Sequence, residues 1–255
     1  MPRFITVRTI GALILREMAS TYGRSPGGYI WAVLEPIGMI AVMSVAFGLL
    51  VRAPALGTNF LLFYATGYLP FALYGEIAAK VGQALRYSRP LLAYPRVTWI
   101  DALLARVVLN VLTGVTVFVI VMLVVSNLSD AHVVLDSNPV ILGMFVSILT
   151  GTAFGAMNCV LGGLYEIWSS IWSIASRPLL LGSGIFFIME DLPRSVQQIL
   201  WWNPLMHASG LVRSGFYATY DAAYVSLAYS LGMPLLILFL SLFFLRISYR
   251  EILEK

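Results

Sequence analysis

Six stretches of this sequence, roughly 29–51, 60–79, 103–125, 139–162, 167–189 and 226–246, are each apolar and long enough to cross a bilayer as a helix. A hydrocarbon core of about 30 Å takes about 20 such residues at about 1.5 Å each. Between them lie polar or flexible loops, such as APALGTN after the first and SNLSDAHVVLDSN after the third. Charged residues make up only 11% of the 255, whereas a soluble domain carries roughly 25%. So little charge does not cover a water-facing surface, and the chain reads as an all-α integral membrane protein, one domain over 1–255 with its bundle over 29–246. The opening residues lack a short apolar core with a small-residue cleavage site, so no cleaved signal peptide is expected.

An even number of spans places both termini on one side. Arg3, Arg8, Arg16 and Arg24 precede the first span, Lys80, Arg86, Arg89 and Arg96 follow the second, and Arg246, Arg250 and Lys255 end the chain. The opposite loops hold Arg52, Arg194 and Arg213 against Asp130, Asp136, Glu190, Asp191 and Asp221. The positive-inside bias then makes the termini cytoplasmic. Residues 3–22 (RFITVRTIGALILREMASTY) are too charged to span. They read as an amphipathic interface helix with Phe4, Val7, Ile10, Ile14 and Met18 towards lipid.

Several chemistries find no support. There is no GxxxxGK[ST] loop, and the lysines are Lys80 and Lys255 alone, so any ATP is bound by another subunit. His132 and His207 lack HExxH spacing, and a catalytic metal is not expected. Cys159 sits in an apolar run as a small hydrophobe. Gly182-Ser183-Gly184, followed by His207, raises an intramembrane hydrolase, but Leu181 stands where that pattern needs glycine. Small residues in a span more often permit close packing. No internal repeat suggests a pore built from two halves of one chain, so a path is expected at a dimer interface.

Charges within spans carry the functional candidates. Arg106 is near a span end and snorkels; Glu35 precedes Pro36 about two turns into the first span, and Glu76 lies near the end of the second. Arg177, followed by Pro178, falls midway along 167–189, or at the interface if that span starts later. The basic loop 80–101 (KVGQALRYSRPLLAYPRVTWID) reads either as a lipid-headgroup anchor or as a docking surface for a cytoplasmic partner. In 190–225, Trp201, Trp202, Tyr217 and Tyr220 suit a headgroup belt at the membrane surface.

Four stretches, REMASTYGRSPGGYIWAVLEP (16–36), FLLFYATGYLPF (60–71), SRPLLLGSGIFFIMEDLP (176–193) and WWNPLMHASGLVRSGFY (201–217), resemble permease subunits of bacterial ABC-2 exporters, with the capsular polysaccharide branch nearest. The resemblance implies a homodimer with two ATP-binding cassette subunits, which hold the ATP and Mg. It also implies an interface helix over 3–22 and a loop at 80–101, through Arg86, Tyr87, Arg89, Tyr94 and Arg96, that couples ATP-driven closure to the membrane. The connection over 190–225 then dips back into the membrane as two short helices, near 194–202 and 205–218. Arg177, Trp201, Trp202, His207, Arg213, Tyr217 and Tyr220 become candidates for the path of a lipid-linked acidic polysaccharide. A periplasmic co-polymerase and an outer-membrane export protein are further implied partners; no nucleic acid is. O-antigen, teichoic acid or a small amphiphile are alternative cargoes.

Overall fold

The structure, a computed structural model, describes residues 3–21, 27–92, 94, 97–129 and 135–254. Expectations resting on Tyr22, Arg24, Arg96, Asp130, His132 and Lys255, and on the side chains of Arg3, Phe4 and Val7, lie outside the described residues. The described chain is all helical: α1 (Arg3–Thr21), α2 (Tyr29–Leu50), α3 (Phe60–Gly82), α4 (Ala84–Leu92), α5 (Trp99–Leu128), α6 (Ser137–Leu164), α7 (Trp168–Leu181), α8 (Arg194–Leu200), α9 (Pro204–Phe216) and α10 (Leu227–Glu254), with a single 3-10 turn at Met189–Asp191.

Four of these, α2, α5, α6 and α10, are long and apolar enough to cross a membrane. The polar loop residues read from the sequence become their caps. Thr98 and Asp101 form a reciprocal capping box at the start of α5, and the Asp136 carboxylate accepts the Asn138 N–H ahead of α6. These satisfy amide groups that a helix start leaves unpaired. At the start of α3, the Asn59 side chain accepts from Leu61 N–H and donates to the Ser129 carbonyl, joining two loops.

α3 is the central element, with thirteen buried residues, and packs on α6, α5, α9 and α2. In a membrane helices gain little by hiding from lipid, so close approach through small residues matters more. α6 supplies Gly143, Ser147, Gly151 and Gly155 at every fourth position. A Cβ on Gly151 would sit 2.8 Å from the Tyr74 carbonyl oxygen, and one on Gly155 would sit 2.7 Å from Val81 Cβ. That seam holds the core together.

The expected fifth span over 167–189 is interrupted. α7 ends at Leu181 after 14 residues, about 21 Å of helix, too short for the hydrocarbon core. The chain turns where Gly184 takes φ +71°, a left-handed conformation that glycine adopts freely. Hydropathy alone had joined the two sides of this break. α1 also differs from its expected lipid-facing orientation: Leu13 and Glu17 are buried while Ile10, Ile14 and Met18 are half-buried. The helix turns that face inward because Glu17 pairs with Arg106 of α5, which is buried rather than snorkelling.

One end of the bundle gathers α1, α4, the start of α5 and the last turns of α10. There Trp99 stacks on Tyr249 at 6.3 Å between ring centres, and Ile252 lies against Gly163. The other end gathers the loop before α3, the loop before α6 and the segment from 182 to 226; Asp136 N–H donates to the Gly215 carbonyl across it.

Candidate functional site

The segment between α7 and α10 is built around two helix breaks. Pro193 precedes α8, and Asn203 caps α9, accepting the Leu205 N–H while Pro204 takes the first helical position. The two short helices expected near 194–202 and 205–218 are thus present as α8 and α9. Asn203 Nδ2 donates to the Gly182 carbonyl at 2.9 Å and to Ser183 Oγ at 3.2 Å, pinning the joint between α8 and α9 to the end of α7. The Ser183 hydroxyl in turn donates to the Leu179 carbonyl.

α9 is far from a surface loop. Every residue from Pro204 to Phe216 except Ser214 is buried, held between α6, α3 and α10. Arg213 is its largest buried side chain. Its Nη1 donates to the Phe187 carbonyl at 2.7 Å and its Nη2 to the Ile185 carbonyl at 3.1 Å, and the guanidinium lies 4.2 Å above the Phe63 ring centre. A fixed fork of donors suits two carbonyls in one turn. One turn further on, Tyr217 buries its hydroxyl and packs against Gly57. Tyr220 donates to Glu190 at 3.0 Å, tying the loop after α9 to the 3-10 turn.

The aromatic residues converge at the joint. Trp201 stacks on Tyr229 at 4.7 Å, Trp202 meets the same ring edge-on at 5.6 Å, and His207 lies 5.4 Å from Trp201. Trp201 donates from its indole to the Tyr224 carbonyl at 3.0 Å, whereas Trp202 is 64% exposed and rims an apolar cavity of about 330 Å3 with Tyr74, Phe154, Leu179, Ile199 and Met233. The Ser226 N–H donates to His207 Nδ1, so the proton is on Nε2, which donates to the Trp201 carbonyl at 2.8 Å. Both ring nitrogens are committed to backbone. Ser183 and His207 therefore do not form the nucleophile and base of a hydrolase.

The other candidates lie elsewhere. Arg177 is exposed on α7, on a helix that also exposes Ser169, Ser170 and Ser173. At the opposite end, α4 buries Ala84, Leu85 and Ser88 and turns Arg86 and Arg89 outward. Tyr87 faces inward beneath Arg16 and Arg106, at 5.2 and 4.3 Å, and Tyr94 is exposed just beyond the helix. The candidate path set thus divides into exposed Arg177 and Trp202 and a braced group of Trp201, His207, Arg213, Tyr217 and Tyr220. Sequence reading passed over Glu17 and Tyr229, whereas Asn203 stands out with Pro204 as a helix break. Being the lone acid of α1 was the available signal for Glu17; Tyr229 had none.

The sequence is similar to known transport proteins. The chain is 28% identical over 234 residues to the polysialic acid transport protein KpsM of Escherichia coli, covering 92% of this chain and 91% of that one. It is 26% identical over 240 residues to the capsule polysaccharide export inner-membrane protein BexB of Haemophilus influenzae (92% and 89%). It is 24% identical over 238 residues to the corresponding protein CtrC of Neisseria meningitidis serogroup A (93% and 90%). The profile of the ABC-2 type transporter family matches residues 8–217, and the chain belongs to that family.

Proposed function

We propose that this chain is the membrane-spanning permease subunit of an ATP-driven exporter that moves a lipid-linked capsular polysaccharide across the bacterial inner membrane. The observation that carries this reading is the match, over about nine-tenths of both chains, to proteins named for capsule polysaccharide export. The chain works as a homodimer with two ATP-binding cassette subunits, which bind ATP and Mg. A periplasmic co-polymerase and an outer-membrane export protein receive the polymer beyond it. Both termini are cytoplasmic, so the end holding α1, α4 and the last turns of α10 faces the cytoplasm. Its exposed Arg86, Arg89 and Arg250 support that, against Asp136, Glu190, Asp191 and Asp221 at the other end.

In this reading α2, α3, α5, α6, α7 and α10 make six crossings, with α7 completed by the turn after it, and α1 lies along the cytoplasmic leaflet. α8 and α9 dip back from the periplasmic side. Arg86 and Arg89 on α4, with Tyr94 and Arg96 beyond it, meet the ATP-binding subunit. Arg177 and Trp202 face the polymer, while Trp201, His207, Arg213, Tyr217 and Tyr220 hold the wall behind them. An arginine exposed part-way along an apolar helix, as Arg177 is, is costly against lipid, which supports a water-filled path beside α7. The test is complementation: cells lacking this chain lose surface capsule and regain it with the wild-type chain. Restoration of O-antigen or teichoic acid export instead would replace the cargo assignment.

A further inference from the structure

Glu17 Oε1 lies 3.3 Å from Arg106 Nε, and both side chains are under one-tenth exposed. That Nε is out of line for a hydrogen bond, so the contact is an ion pair held by charge. Arg106 Nη1 donates to the Lys80 carbonyl at 2.5 Å, at the foot of α3. The face of the same guanidinium lies 4.3 Å from the ring centre of Tyr87 on α4, and Arg16 of α1 covers that ring at 5.2 Å. One side chain of α5 therefore touches α1, α3 and α4 together.

Stability is a weak reason for such an arrangement. Burying two charges costs several kcal/mol of hydration that their attraction only partly returns, and apolar residues of the same size often hold helices as well. Burial alone pushes the Glu17 carboxyl above the usual carboxylate range, with Arg106, Lys80 and Arg16 pulling the other way. What the polar node adds is a fixed geometry: a carboxylate, a carbonyl and a ring face define where one planar guanidinium sits. α3 then runs the length of the bundle from the Lys80 carbonyl to Phe63, which lies under Arg213 at the far end. A displacement of α4 thus has a packed route to the segment around α9.

We propose that Glu17 and Arg106 are positioning residues for export, locking the inward face of α4 to the feet of α1, α3 and α5 so that movement imposed on the Arg86/Arg89 face reaches α3. This rests on the reading of α4 as the docking helix for an ATP-binding subunit. Without the lock, α4 tilts locally and the ATP-driven stroke is lost.

The test uses the full complex with its ATP-binding subunit. A wild-type chain that binds no such subunit refutes the docking reading and not the lock. Glu17→Gln keeps the side-chain shape and removes the charge. The assembled complex is expected to hydrolyse ATP within about twofold of wild type while surface polysaccharide falls about tenfold, a change in the range known for coupling residues. Wild-type export per assembled complex overturns the proposal. Where Glu17→Gln does not assemble, the Tyr87 pair decides: Tyr87→Leu removes the ring under Arg106, retains its ATP-binding subunit and exports about tenfold less, whereas Tyr87→Phe, which keeps the ring, exports well above the leucine variant. Equal export from Phe and Leu variants overturns it as well.

Discussion

Arg213 and Phe63 meet with the guanidinium carbon 4.2 Å from the ring centre, at a point with almost no solvent access. The ring supplies a face for a charge whose remaining contacts are the carbonyls of Ile185 and Phe187. Gly67 leaves the room, since a Cβ there would lie 2.9 Å from Nη2. The pair joins α3, α9 and the turn after α7 through one side chain.

Arg213→Ala is therefore expected to destabilise the protein rather than merely weaken export. It leaves the buried Ile185 carbonyl unpaired, at about 1–3 kcal/mol, strips the half-buried Phe187 carbonyl of its donor, and removes the cation from the ring. Arg213→Lys recovers only part, because one ammonium does not reproduce the planar fork over Phe63. Thermal unfolding in detergent, followed by proteolysis between 182 and 193, checks both. An unchanged melting profile for the alanine variant would show that the clip carries no stability.

How much of this was legible in the sequence depends on range. The long apolar runs of α2, α5, α6 and α10 announce themselves, and Pro193 and Asn203-Pro204 mark the joints around α8. The burial of α9 does not show, because PLMHASGLVRSGF mixes small and polar residues much as a loop does. Its carbonyl and ring partners come from segments far along the chain. The end of α7 at Gly182–Gly184 is hidden by flanking residues as apolar as a continuing span. Glu17 is the lone acid of α1 and Arg106 a charge near a span end, but nothing in the sequence pairs them until the fold sets them 3.3 Å apart.

The α3–α6 seam gives a contrast between glycines. Gly155→Ala places its Cβ 2.7 Å from Val81 Cβ and 3.2 Å from Ala78 Cα, and such overpacking costs about 1–3 kcal/mol. Gly38→Ala on α2 meets nothing within 4 Å and gains up to about 1 kcal/mol of helix propensity. Melting temperatures of the two variants should move in opposite directions. Loss of the proposed homodimer in Gly38→Ala, with the monomer intact, would place that face of α2 at the contact between copies.

The two tryptophans should separate in the same way. Trp201 is stacked on Tyr229 and hydrogen-bonded to the Tyr224 carbonyl, so Trp201→Ala loses stability by about 2 kcal/mol and export with it. Trp202 offers an exposed face, so Trp202→Ala leaves melting unchanged while surface polysaccharide per assembled complex drops. Normal export from Trp202→Ala would reduce it to an interfacial anchor.

Charge reversal at Arg86 and Arg89 addresses the other end. Both point away from the bundle, so the fold tolerates glutamate at either position, and the docking reading requires the ATP-binding subunit to be lost. Because these arginines also contribute to topology, accessibility labelling of the termini has to show wild-type orientation first. A correctly oriented double variant that still copurifies with its ATP-binding subunit would leave α4 a lipid anchor.

Arg177 is the sharpest test of the path. α7 exposes Ser169, Ser170 and Ser173 on the way to Arg177, and the arginine lies one to two turns before the Gly182–Gly184 break. An exposed guanidinium at that depth is heavily penalised against lipid but favourable beside a hydrated acidic polymer. Removing it leaves no buried partner unpaired within the chain, so assembly and melting should survive. Arg177→Ala is expected to lower export of an acidic polysaccharide by roughly tenfold, and Arg177→Lys to recover part of it, keeping the charge while losing the fork. Quantifying surface polymer against assembled complex separates the outcomes. Collapse of the proposed homodimer in Arg177→Ala would make the arginine a contact between copies, and unchanged export would take it out of the path.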